Sequence, residues 1–292
     1  MAVYKGMDRD EIEAQYFLRG TRPGYEEKDI PRWHALSEAF RDKVKGRLDL
    51  VYGPRARNKL DFFPATTGES DQAGLLLYIH GGYWQRGDKS VYSYVAEPFV
   101  ESGFNVALMN YQMCPEVRLS EIAPQARLAV AWLWRNAAEL GFDRDRFTVM
   151  GHSAGGHLTI EMMCTDWPGE GEDLPQDLVK SGVAISGIYD FEPILYCSEN
   201  EGLRLDKAEA RVVSPIYRTP ATNAPVLIAH GLNEPVDMHR QSKDLCKVME
   251  TPGRHVECLK VPGADHFETV DVLADPASVL HTRALVFACG TA

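Results

Sequence analysis

From residue 75 onward, short runs of apolar residues alternate with longer segments whose apolar positions recur every three or four residues. The runs lie at 75–79, 105–109, 146–150, 183–186, 225–229 and 256–260. Near-continuous hydrophobicity over so short a length reads as a strand covered on both faces. The segments between them, at 91–102, 121–140, 158–163, 238–251 and 277–288, carry helical spacing, and Gly103 and Gly141 end the first two. This alternation predicts an α/β fold, a mostly parallel central sheet flanked by helices on both faces. Upstream, 48–53 and 59–64 are two strands about a polar turn, hence an antiparallel hairpin, and 66–71 is a polar loop.

Two amphipathic segments precede the hairpin. Residues 8–19 start with acids and read as a short helix, broken by Gly20-Thr21-Arg22-Pro23-Gly24. A second helix spans 31–45, with Trp33, Leu36, Phe40 and Val44 on one face and Pro31 in its first turn. They make a helical N-terminal arm, 1–47, ahead of a core at 48–292. The alternation runs through both halves of that core, so one domain, 1–292, is expected. An irregular stretch at 190–218 is the one long excursion. The arm either caps the mouth of a site or covers a sheet flank, and both remain open.

Composition narrows the class. Apolar residues make up 45% of the chain and charged ones 25%, enough to build a large core. A formal charge of −11 argues against nucleic acid or an anionic membrane as partner, because phosphate binding needs basic clusters. No window approaches the ~20 apolar residues that span a bilayer, and the first residues lack the apolar stretch of a secretory signal. The six cysteines are scattered without a C-x-x-C pair, so reduced thiols in the cytoplasm are expected. A homodimer is the default expectation for a soluble enzyme.

Chemistry concentrates in Gly151-His152-Ser153-Ala154-Gly155-Gly156-His157, between the run at 146–150 and the helix at 158–163. Strand, G-x-S-x-G, helix is a nucleophile elbow: the turn is tight enough to need glycine, and it lifts the Ser153 hydroxyl above the sheet edge. A second motif, His80-Gly81-Gly82-Tyr83-Trp84, follows the run at 75–79. Its glycines free backbone N–H groups to face an oxyanion together with the N–H of Ala154. Whether Gly81, Gly82 or Tyr83 points inward is left open.

Nine histidines compete to be the base. His80 and His152 sit inside the motifs, His157 lies one turn along the helix, and His230 ends a strand. His34, His239, His255 and His281 fall on helices or a strand edge. His266 stands in the loop after the last strand, where the order Ser, acid, His delivers the base. The acid then belongs to Gly231-Leu232-Asn233-Glu234-Pro235-Val236-Asp237. Glu234 is favoured and Asp237 is the alternative, although it could instead cap the helix from 238. Asp190 is a third option, more readily a turn former. No H-e-x-x-h spacing, P-loop or dinucleotide motif occurs, so no metal or cofactor is expected.

With those residues placed, the chain resembles the α/β-hydrolase superfamily over about 48–290, and more narrowly the kynurenine formamidase group. The likeness rests on His80–Trp84 followed by Lys89, on Gly151–His157, and on Ser186-Gly187-Ile188-Tyr189-Asp190 followed by Ser214-Pro215. Tyr16, Arg19, Trp33 and Tyr52-Gly53 add to it. The resemblance implies an α/β-hydrolase fold, Ser153 as nucleophile, His266 as base, and hydrolysis of an N-formyl aryl amide through a formyl-enzyme. Glu234 departs from the Asp more usual in that group. The small-molecule substrate would meet Tyr83, Trp84, Tyr189 and Phe267 if these line a pocket rather than the core. A carboxylesterase or amidase on another aromatic compound shares every one of these residues, and a non-catalytic binding protein is the alternative from a different class.

Overall fold

The computed structural model describes residues 1–68 and 73–291; the last three residues of the expected polar loop at 66–71 lie outside them. Eight strands form one sheet: β1 (Arg47–Val51), β2 (Lys59–Phe63), β3 (Leu75–Ile79), β4 (Asn105–Met109), β5 (Phe147–His152), β6 (Ser181–Ile185), β7 (Val226–Gly231) and β8 (Val256–Val261). Their spatial order is β1-β2-β4-β3-β5-β6-β7-β8. β1 and β2 form the hairpin and β2 runs antiparallel to β4; every other pairing is parallel. Strands β3 to β7 are buried along their whole length, as the continuous apolar runs require, whereas β1 is an exposed edge.

Seven helices of seven or more residues occur among the described residues: α1 (Arg9–Tyr16), α2 (Ile30–Lys43), α3 (Ile122–Arg135), α4 (Ala154–Met163), α5 (Val236–Met249), α6 (Glu268–Ala274) and α7 (Val279–Ala288). The helix expected over 121–140 is interrupted at Asn136, whose side-chain amide donates to Trp132 O at 2.7 Å and competes with the helical ladder. The one expected over 91–102 is instead two 3₁₀ turns and a short helical turn, Glu97–Glu101. The excursion at 190–218 holds only short helical turns.

Both readings of the arm hold, for different parts of it. Phe40, late in α2, packs on Phe63 of β2 with ring centroids 4.8 Å apart, so this half covers the sheet flank. Arg22 reaches the opposite end of the chain, pairing with Asp29 and Asp265, each at 2.7 Å. Trp33 Nε1 and Tyr94 Oη both donate to Asp271 of α6, at 2.9 and 3.0 Å. Residues 22–33 of the arm are thereby tied to the loop and helix that follow β8.

One expectation is corrected. Cys246 and Cys258 form a disulfide with their Cα atoms 6.4 Å apart, so the six cysteines are not all thiols; Cys114, Cys164, Cys197 and Cys289 are free. Helix α5 turns back to pack on β8, which brings together two residues that no sequence spacing marks as a pair.

Candidate active site

Strand β5 ends at His152 and α4 begins at Ala154, which leaves one residue to reverse the chain. That residue, Ser153, has φ +56° and ψ −117°, a strained backbone that survives because its surroundings hold it. Its N–H donates to Ile185 O at 2.8 Å and its carbonyl accepts from His157 N at 3.1 Å. The turn closes against the neighbouring strand so tightly that a Cβ on Gly155 would stand 1.8 Å from Ile79 O.

His266 Nε2 lies 3.0 Å from Ser153 Oγ, and its Nδ1 lies 3.1 Å from Glu234 Oε2. The other carboxylate oxygen of Glu234 accepts from Ser186 Oγ and from Gly231 N–H, both at 2.6 Å. Burial alone would push this carboxyl up. The His266 ring, the Ser186 hydroxyl and the Gly231 amide outweigh that and hold it below the usual range. Two further bonds hold the loop that carries His266: His152 Nε2 donates to His266 O at 2.8 Å and Thr269 Oγ1 donates to it at 2.7 Å. His152 keeps that donor role as a neutral ring, because burial, and then His266 beside it, press its pKa down to about 3.

Asp237 and Asp190 serve elsewhere. Asp237 accepts from Tyr16 Oη and pairs with Arg240, whereas Asp190 accepts from Tyr4 Oη at 2.7 Å. His80 is also a brace, its ring stacked between Tyr92 and Tyr111 and within 2.6 Å of Gly81 O. His157 is held through Val213 O at 2.9 Å, and His230 lies against His239.

Facing Ser153 is the loop after β3. Gly82, Tyr83 and Trp84 all have positive φ, and a Cβ on Gly82 would stand 2.0 Å from Arg86 O. Among the described residues, no acceptor occupies the N–H groups of Gly82, Tyr83 or Ala154. Gly81 stands beside the nucleophile, since a Cβ there would lie 3.0 Å from Ser153 Cβ.

Ser153 and His266 open onto a narrow surface cleft. Gly81, Gly82 and Tyr83 line its floor; Tyr25, Trp33, Tyr92 and Phe267 form an aromatic wall, and Arg19 and Arg86 a cationic one. Tyr25 lies 4.2 Å from Phe267, centroid to centroid. Of the four aromatics expected at the substrate, Tyr83 and Phe267 line the cleft. Trp84 and Tyr189 are buried away from it: Trp84 packs on His157 and Phe191, and the Tyr189 hydroxyl lies 3.3 Å from Gly187 N. Tyr25, Tyr92, Arg19 and Arg86 were not singled out for the cleft from sequence. The aromatic face of the arm was the available signal. Among the described residues no group of three His, Cys, Asp or Glu side chains is arranged to hold a metal ion, and no helix is long and apolar enough to cross a membrane.

Residues 60–249 match the model of the BD-FAE family. The chain is 30% identical to the kynurenine formamidase of Salmo salar, over 94% of this chain and 95% of that protein. It is 27% identical to the esterase LipC of Mycobacterium tuberculosis, covering 77% of this chain and 60% of that one. Among solved structures, a candidate thioesterase from Silicibacter sp. TM1040 superposes with a TM-score of 0.77 at 33% identity, over 93% of this chain and 98% of that one.

Proposed function

The chain belongs to the BD-FAE family of α/β-hydrolases and is a hydrolase, and we propose that its substrate is an N-formyl aryl amide of the N-formylkynurenine kind. The observation that carries the reading is a hydrogen-bonded Ser153–His266–Glu234 chain opening onto a cleft walled by Tyr25, Trp33, Tyr92 and Phe267. The full-length kynurenine formamidase relatives support the choice of bond. Four aromatic side chains suit a flat leaving group.

In this mechanism Ser153 Oγ attacks the formyl carbon as His266 Nε2 takes the hydroxyl proton. Glu234 keeps Nδ1 protonated, so that Nε2 is the free base, and it stabilises the imidazolium that forms. Negative charge grows on the formyl oxygen, toward the N–H of Ala154 at the amino end of α4 and those of Gly82 and Tyr83. When the C–N bond breaks, His266 returns its proton to the arylamine. Water then adds to the formyl ester on Ser153 by the same route, releasing formate and restoring the hydroxyl.

A second reading, hydrolysis of an aryl ester or thioester, is favoured by the 33% identity to the Silicibacter protein solved as a candidate thioesterase. Turnover of N-formylkynurenine measured beside p-nitrophenyl acetate separates the two. The formamidase reading expects a kcat/KM of ~10⁴ M⁻¹s⁻¹ or better on the formamide. Turnover confined to the activated ester selects the second reading.

A further inference from the structure

The cationic wall of the cleft is unexplained by bond cleavage. Arg19 comes from the turn that follows α1, and Arg86 from the oxyanion-side loop, where its N–H donates to Gly82 O at 2.9 Å. Between them lies Glu199, whose side chain is 4% exposed; Arg86 Nη2 is 3.1 Å from it and Arg19 Nη2 3.5 Å. One buried carboxylate thus faces two guanidinium groups. Arg19 also pairs with Glu26 at 2.8 Å, but the Glu26 side chain is 64% exposed, and a pair in water is readily exchanged for another anion. Arg19 Nε is buried and carries no hydrogen bond. In a chain of net charge −11, two guanidinium groups lining the same cleft as Ser153 call for a local reason.

We infer that Arg19 and Arg86 form an anion subsite that takes a carboxylate carried by the leaving-amine half of the substrate. Which half carries it rests on the formamidase reading above. The aromatic wall holds the ring and the guanidinium pair holds the carboxylate beyond it, so the substrate class narrows to arylformamides bearing an acidic side chain. A planar guanidinium with a free N–H matches a carboxylate in geometry as well as charge. Glu199 pre-positions the pair and is a positioning residue.

The test uses competitive inhibition of p-nitrophenyl acetate hydrolysis by kynurenine, the product amine, and by kynurenine methyl ester, which keeps the ring and ammonium but has no carboxylate. The native enzyme is expected to bind kynurenine at least about tenfold more tightly than the ester. In Arg19→Gln/Arg86→Gln the ratio of the two inhibition constants falls to about 1. That ratio is internal to each variant, so partial loss of folded enzyme leaves it untouched. If the double variant strands Glu199 and does not fold, salt makes the same test on the native enzyme: raising NaCl from about 0.05 to about 0.5 M must lower the ratio at least about threefold. Equal inhibition in the native enzyme, or a ratio indifferent to both perturbations, overturns the inference. A ratio that behaves as expected without turnover of N-formylkynurenine sinks the formamidase reading and leaves the anion subsite standing.

Discussion

Glu234→Gln should lower kcat by about 10³–10⁴-fold while leaving the fold intact. The glutamine amide oxygen can replace Oε1 and keep the bonds from Ser186 and Gly231, both 2.6 Å long. Its NH₂ group then faces His266 Nδ1, which must become an acceptor. The ring proton moves to Nε2 and points at Ser153, so the base starts in the wrong tautomer. The lost carboxylate also no longer stabilises the imidazolium. For unit charges at the 3.1 Å separation of His266 Nδ1 and Glu234 Oε2, with an effective dielectric of about 20, that attraction is about 5 kcal/mol. A loss of 4–5 kcal/mol corresponds to about 10³–10⁴ in rate. The assay is steady-state kcat on the best substrate, with the thermal midpoint measured on the same samples. Asp237→Asn is the control, because Asp237 is committed to Tyr16 and Arg240. A Glu234→Gln enzyme within about tenfold of native in kcat, or an Asp237→Asn enzyme with the larger loss, would refute the reasoning.

Stability should fall as pH drops below about 6.5, the ordinary histidine value. Burial holds His80, His152 and His157 neutral, with pKa values pushed down to about 4, 3 and 3. The unfolded chain binds protons that the folded chain refuses, which costs up to about 1.4 kcal/mol per pH unit for each ring. Urea midpoints compared at pH 7.5 and 5 check this, and equal midpoints contradict it. Tyr25→Ala should raise KM for an aryl substrate by roughly tenfold and leave KM for vinyl acetate nearly unchanged, since Tyr25 contributes a ring face rather than a reacting group; equal shifts on both substrates speak against the aromatic wall. Gly155→Ala should fail to fold or lose more than about 4 kcal/mol, because its Cβ meets a strand carbonyl at 1.8 Å, and soluble expression with native circular dichroism contradicts this. Thiol titration of the denatured, unreduced protein should find four groups, and reduction of the Cys246–Cys258 bridge should cost about 3 kcal/mol for a loop of this length; six titrating thiols would remove the bridge.

The parallel core was legible because strands covered on both faces carry no competing polar signal. Residues 75–79 and 105–109 are β3 and β4 to the residue. The elbow was legible for a related reason, since close approach of backbone to backbone at Gly151 and Gly155 admits no other side chain. Where two carboxylates share one loop, sequence could only rank them. What separates Glu234 from Asp237 is that Gly231 N–H and Ser186 Oγ converge on the former, a contact across two strand ends. The aromatic wall was hidden because it unites Tyr25 and Trp33 of the arm with Phe267 near the end of the chain. Trp84 and Tyr189 misled for the converse reason: adjacency to a motif does not give a side chain's direction, and here both turn into the core.

The most direct test of the central claim is to quench the enzyme during turnover of N-formylkynurenine and to map covalent adducts by peptide mass spectrometry. The account predicts a formyl group on the peptide carrying Ser153, no adduct in Ser153→Ala, and at least about a 10³-fold lower kcat in that variant. Turnover of the formamide that survives Ser153→Ala, or a formyl group on any other residue, would contradict it.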